Sequence, residues 1–209
     1  MAGKKESSAP RAYTMRARHD AVAATRRVIT EATMNLHERV GPRETTVSAI
    51  AAAAQVTRLT VYRHFPDDEA LVLACSAHWR ALHPRPDVAH WKHIRDPVLR
   101  LRTALTETYR WAAAAAPMMR MIHRDVDSMP AFVGYQLAAD ERARVAALAV
   151  GFGARGRAGR RLAAALAHAL HVNTWSSLCA DGGLTDSEAV DVMVGAVLAA
   201  IKRPQDRRS

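Results

Sequence analysis

The sequence predicts an all-α protein of eight or nine helices, with a three-helix N-terminal head carrying a helix-turn-helix and a larger C-terminal helical bundle. Three observations carry that reading. Of 209 residues, 49% are hydrophobic and only 5% aromatic, with alanine runs from Ala51 to Ala54 and from Ala112 to Ala116. Alanine is the strongest helix former and lets helices pack closely. Apolar residues recur at helical spacing between Gly and Pro breakers, and no useful length alternates with strand period. Finally, two short segments that hydroxyl side chains can cap lie back to back around Gln55.

The elements follow in order. Residues 1–17 are polar and basic, broken by Pro10, and read as a flexible arm that includes Lys4, Lys5, Arg11 and Arg16. A long helix is expected from about Asp20 to Val40, with Val22, Ile29, Met34 or Leu36, and Val40 on its apolar face; Gly41-Pro42 ends it. Thr45 or Thr46 caps the next helix, which carries Val47, Ile50, Ala51 and Ala54. Thr57 caps a second short helix with Leu59, Val61, Tyr62 and Phe65. Pro66 closes it. Asp67 then caps a fourth helix running to about Leu82, with Asp68 and Glu69 where the helix dipole favours acids. After a loop at Pro84 and Pro86, helices are expected at about 94–115, 117–127, 130–150, 158–179 and 186–202. The division is an arm at 1–17, a head at 18–66, a bundle at 67–203 and a tail at 204–209.

The formal net charge of +10 favours association with polyanions, although biased genomic base composition also produces Arg-rich chains. Cys75 and Cys179 make no disulfide framework. No apolar stretch is long enough for a membrane span, and a soluble cytoplasmic protein is expected. The chain lacks a Walker-type phosphate loop, HExxH and G-x-S-x-G, and Gly151, Gly153 and Gly156 follow no strand and read as a break between helices, so no enzyme and no cofactor are indicated. His90/His93 and His168/His171 have metal-ligand spacing but no third ligand nearby, and chance pairing among ten histidines is the better account.

The informative stretch is Thr45 to Leu71. A supporting helix packed through Val47, Ile50, Ala51 and Ala54 leaves Thr57, Arg58, Leu59, Thr60, Tyr62, Arg63 and His64 free on the next. Their hydroxyls and cationic donors suit phosphates and base edges. Thr46, at a helix start, suits a phosphate. The same residues also fit a solvated helix face, and Thr57 fits a plain cap.

This stretch resembles the TetR (tetracycline-repressor-like) family of transcriptional regulators. The resemblance rests on Thr45-Thr46, Ile50-Ala51, Val56-Thr57, Thr60, Tyr62, His64-Phe65 and Glu69-Leu71, and covers about residues 22–75. It implies a homodimeric repressor that binds double-stranded DNA at a palindromic operator through Thr46, Thr57, Arg58, Thr60, Tyr62, Arg63 and His64. Release by a small apolar effector is implied with it. Two positions depart from the pattern: Gln55 replaces the usual turn glycine, and Asp68 the usual phosphate-binding lysine. A helical small-molecule-binding protein without DNA-binding activity is the alternative.

For the bundle, the resemblance implies an effector pocket, for which Trp111, Met118, Met119, His123, Tyr135 and Trp175 supply the larger side chains, unless they are ordinary core. It also implies a dimer interface through the last two long helices. Leu162, Leu166 and Leu170, with Val190, Val194 and Val197, form the apolar stripes for it, unless one chain buries them internally.

Overall fold

Three side chains start the three helices that follow the first in this computed structural model, which describes residues 9–202. Thr46 accepts from the Ala49 amide at 3.2 Å and opens α2 (Val47–Ala53). Thr57 accepts from the Thr60 amide at 3.1 Å and opens α3 (Arg58–His64). Asp67 accepts from the Ala70 amide at 2.7 Å and opens α4 (Asp68–Leu82). Each cap satisfies an amide that a helix start leaves without an intrahelical partner.

The first helix, α1, spans Ala9–Arg39 and so begins well before Asp20. No breaker lies between Pro10 and Gly41, and Pro10 falls in the first turn, where its missing N–H costs no bond. Residues 1–8, with Lys4 and Lys5, and the 204–209 tail lie outside the described residues. The buried stripe of α1 is Ile29, Ala32, Thr33, Leu36 and His37, whereas Val22 and Val40 are exposed. Steps of three and four place the stripe residues on one side. There they close the head core with Ile50, Ala51, Ala54, Val61, Phe65 and Leu71.

The bundle contains α5 (Val88–Lys92), α6 (Pro97–Asp125), α7 (Ala131–Ala149), α8 (Gly156–Ala169), α9 (Val172–Trp175) and α10 (Asp186–Ile201). A 3-10 turn at Val126–Ser128 and a π turn at Ser176–Asp181 join them, giving ten α-helices among the described residues rather than eight or nine. The extra ones have local causes. Asp87 caps α5 at the Ala89 amide (2.8 Å), and fully buried Trp91 anchors it, donating to Glu107 at 2.7 Å. The segment expected as one helix at 158–179 breaks after Ala169. The His171 ring takes the Asn173 amide, and the Thr174 hydroxyl donates back to the His168 carbonyl. Pro117, by contrast, does not divide α6. The carbonyl that loses its amide partner belongs to Ala113, which is exposed to water, while Ala112, Ala115, Ala116, Met118 and Met119 stay packed on either side.

Leu101, Leu105 and Tyr109 of α6 meet Leu162 and Leu166 of α8 and Val190, Val194 and Val197 of α10. Burying each such side chain contributes about 1.5–3 kcal/mol relative to exposure. This corrects the assignment of Leu162, Leu166, Leu170, Val190, Val194 and Val197 to a dimer interface. All six are at most 5% exposed within their own chain, because α8 and α10 pack on each other while α7 covers α8 and α6 covers α10. Arg100, also buried, clamps the α6 start to the α7 end through the carbonyls of Ile94, Arg95, Ala147 and Val150.

Candidate nucleic-acid interface and effector cavity

The inner side of α3, through Val61, and the following Phe65 belong to the head core. Its outer side is open to solvent, with Leu59 79% and Tyr62 46% exposed. Arg58 and Arg63 stand exposed beside them, within an arc of about 140° on a helix turning 100° per residue. Thr46 and Thr57 are exposed, Thr60 and His64 half-buried. None of the seven expected contact residues is enclosed. The Thr57 and Thr60 hydroxyls lie 2.9 Å apart, so the cap and the helix surface share one polar pair. Arg26 of α1 was missed by the sequence reading. Its guanidinium lies 4.0 Å from the Phe65 ring centroid and donates to the His64 carbonyl, holding the end of α3. Burial first, then the charges of Arg63 and Arg26, lowers the His64 pKa below the ordinary imidazole value. Forked Arg donors suit guanine edges, hydroxyls suit phosphates, and an exposed Leu suits a thymine methyl.

The turn between α2 and α3 carries its own strain. The Val56 amide donates to the Ala51 carbonyl at 2.9 Å and the Gln55 amide to that of Ala52 at 3.2 Å, the paired bonds that end a helix through a left-handed residue. Gln55 holds that position with φ of 55°, a conformation in which a side chain costs roughly 1 kcal/mol. Gln55→Gly is expected to raise Tm by about 1–3 °C, the gain reduced by glycine's greater freedom when unfolded. Gln55→Val is expected to lower it, since β-branched residues resist positive φ. Thermal unfolding of both variants checks the opposed signs, and a glycine variant less stable than the parent would refute the strain.

Three adjoining hollows open within the bundle, and Arg85 lines all of them. One, of about 70 Å³, lies among Trp79, Met118, Met119, Ile122 and Leu137, and reaches His37 of α1 and Cys75 of α4. A second, of about 250 Å³, is walled by Trp111, Met119, His123, Arg144 and His171. The third, of about 220 Å³, holds Thr108, Trp111, Asp140 and Arg144. Thus Trp111, Met118, Met119 and His123 border cavity space. Tyr135 does not: it is 74% exposed, on the far side of α7 from Val133. Trp175 does not either. Its ring packs against the core and its Nε1 donates to Asp186 at 2.8 Å. Burial lowers His37 to about 4. His123 is also lowered to about 4, by burial first and then by His171, Arg85 and Arg144. The same burial raises Cys75 to about 12, so it is an inert thiol beside His37.

Residues 29–75 match the family described as bacterial regulatory proteins, tetR family. The matched segment holds α2, α3 and the packed end of α1, so it is the head that resembles this family. Two solved structures share the fold of the chain. One is a Clostridium perfringens protein assigned to the regulation of fatty acid metabolism, 16% identical, with TM-score 0.63 over 85% of this chain and 100% of that one. The other is AibR in complex with isovaleryl coenzyme A and operator DNA, 23% identical, with TM-score 0.62 over 82% of this chain and 97% of that one. No curated protein matches the chain.

A polar latch ties the head to the bundle. Asp125, at the end of α6, is 1% exposed and takes both Arg124 Nε (2.7 Å) and Nη2 (2.8 Å), with the Arg43 amide at 3.2 Å. Arg124 also donates to the Val40 carbonyl at 2.8 Å, and Arg43 Nε to Ser128 at 2.9 Å. Gly41, with φ of 93°, passes so close that a Cβ there would overlap the Arg124 guanidinium and the Asp125 carboxylate. No sequence motif marks this contact. Gly41 read only as a helix terminator. Among the described residues, no helix is long and apolar enough to cross a membrane.

Proposed function

We propose that this chain is a ligand-responsive transcriptional repressor that binds a palindromic operator as a homodimer in the cytoplasm and leaves it when a small molecule fills the bundle cavity. The outward face of α3 carries the reading. Arg58, Leu59, Tyr62 and Arg63 project from a helix whose other side is fixed in the head core, which is the geometry of a major-groove reader. That AibR was solved with operator DNA and an acyl thioester supports the same reading. Asp68, exposed in the first turn of α4, adds no phosphate anchor, so Arg58, Arg63 and hydroxyls carry the attachment.

A second copy fits the outer face of α10. Val192, Gly195, Ala196 and Ala199 are all exposed there at steps of three and four, on the side opposite the buried valines. Small residues allow close approach of paired helices, and two symmetric heads are what a palindrome requires. Ala196→Arg is expected to shift the protein from dimer to monomer in analytical ultracentrifugation. An unchanged sedimentation coefficient would place the interface elsewhere.

The cavity meets the head through His37 and Cys75, on the two helices, α1 and α4, that carry α2 and α3. An occupant that fits one arrangement of α1 and α4 better than another shifts the head by that difference in affinity. The deciding experiment is titration of the protein onto DNA upstream of its own coding sequence and onto a scrambled duplex at moderate salt. Specific binding is expected; equal binding to both sinks the repressor assignment.

A further inference from the structure

We infer that the cavity takes an amphipathic anion, a small apolar chain ending in a carboxylate, with the head group among Arg85, Arg144 and Thr108 and the chain directed towards Met118, Met119 and Ile122. The inference deepens the effector-responsive reading above and rests on it. It also replaces the expectation of a purely apolar effector.

Polar groups left without partners carry the argument. Among the described residues, Arg85 Nε and the Thr108 hydroxyl are buried and make no hydrogen bond. Both residues line the hollow of about 220 Å³, together with Arg144. Leaving such a group unpaired away from water is costly, a cost that a ligand oxygen removes. The Arg85 Nη1 is committed to Asp140 at 2.7 Å, which leaves Nε to the cavity. Arg144 reaches only the Asp140 backbone carbonyl, at 3.4 Å, and has no carboxylate within ion-pair distance among the described residues. Glu141 shares the wall of the second hollow with Arg144, and Arg80 borders the first. His123 and His171 face each other there with ring centroids 4.6 Å apart. Burial and the neighbouring Arg85 both lower the Arg144 pKa, while Asp140 and Glu141 act against them. Two partly desolvated guanidiniums thus stand close together, with one carboxylate already taken by Arg85.

A carboxylate fits this set. Its two oxygens match guanidinium N–H donors, and a threonine hydroxyl can donate to either. The apolar half of the ligand follows from shared walls: Arg85 and Met119 border both the polar hollow of about 250 Å³ and the apolar one of about 70 Å³. A chain anchored at Arg85 therefore runs over Met119 towards Trp79 and Ile122, and ends beside α1 and α4.

The test uses the full chain, straight n-alkanoates of four to ten carbons, and the carboxamide of each, with affinity read by isothermal titration calorimetry. At least one alkanoate is expected to bind, with its carboxamide weaker by about tenfold or more, the equivalent of one charge-assisted bond. Arg144→Gln, with its fold checked by circular dichroism, is expected to bring the alkanoate down to the affinity of the amide. Should that variant not fold, Thr108→Val is expected to weaken the alkanoate several-fold. Amides binding as tightly as acids, an alkanoate indifferent to these substitutions, or no binding across the series each overturn the inference. DNA titration of the same preparation separates the two readings. Alkanoate binding without specific DNA binding keeps the site and sinks the repressor, whereas the converse keeps the repressor and sinks the anionic effector.

Discussion

Arg58→Ala is expected to lower affinity for the specific operator by about 2–6 kcal/mol, the sum of about 1–3 kcal/mol at each of two heads, while affinity for a scrambled duplex changes far less. The expectation comes from position. Arg58 begins α3 on its exposed face, one turn from Tyr62, and on the proposed major-groove docking a forked donor there meets a base edge rather than the flanking strand. Arg63→Ala should behave differently. It lies in the last turn of α3 and, on the proposed docking, meets the DNA backbone, so its loss is expected to weaken specific and scrambled duplexes alike and to reduce the salt slope by about one unit per phosphate contact removed. Fluorescence anisotropy on both duplexes across a salt series resolves the two behaviours. If Arg58→Ala weakened both duplexes equally, base reading by that residue would be refuted.

What the sequence made legible was local. Thr46, Thr57 and Asp67 each cap a helix through an amide three residues on, so residue type and spacing suffice to find them. The exposed face of α3 follows, because Val61 and Phe65 leave only one side to bury. Period alone could not say what covers a stripe. Val190, Val194 and Val197 form the expected apolar line on α10, yet the surface that meets them is α6 and α8 of the same chain. The cavity was half legible. Selecting large apolar residues found Trp111, Met118 and Met119 but also took in Tyr135, which points to solvent about 200° around α7 from Val133. The polar end was invisible for a different reason. Arg85, Thr108 and Arg144 sit far apart in sequence, on a loop and two helices, and each alone reads as a surface residue.

The contact between head and bundle has the largest expected effect on stability. Arg124 and the Arg43 amide hold the buried Asp125 carboxyl down at about 2, against an ordinary 3.8. A depression of that size corresponds to about 2–3 kcal/mol of folding stability. Because the folded value lies below the unfolded one, the contribution is complete above about pH 4 and fades as pH falls to about 2. Asp125→Asn is therefore expected to lower Tm by about 5–10 °C at pH 7 and to approach the parent's stability near pH 2. His123, lowered to about 4, gives parent and variant the same pH dependence, whereas the Asp125 charge acts to raise His37 and its loss lowers that ring further, so the comparison at pH 7, where both rings are neutral, is the one that isolates the Asp125 contact. Gly41→Ala attacks the same contact from the other side, by driving a Cβ into the Arg124–Asp125 pair at a backbone angle that favours glycine. Two substitutions that break one contact should not add. The double variant is expected to be less destabilised than the sum of the singles by about 1 kcal/mol or more, measured by denaturant unfolding. Strict additivity would mean that Gly41 and Asp125 act independently and that the latch is two unrelated features.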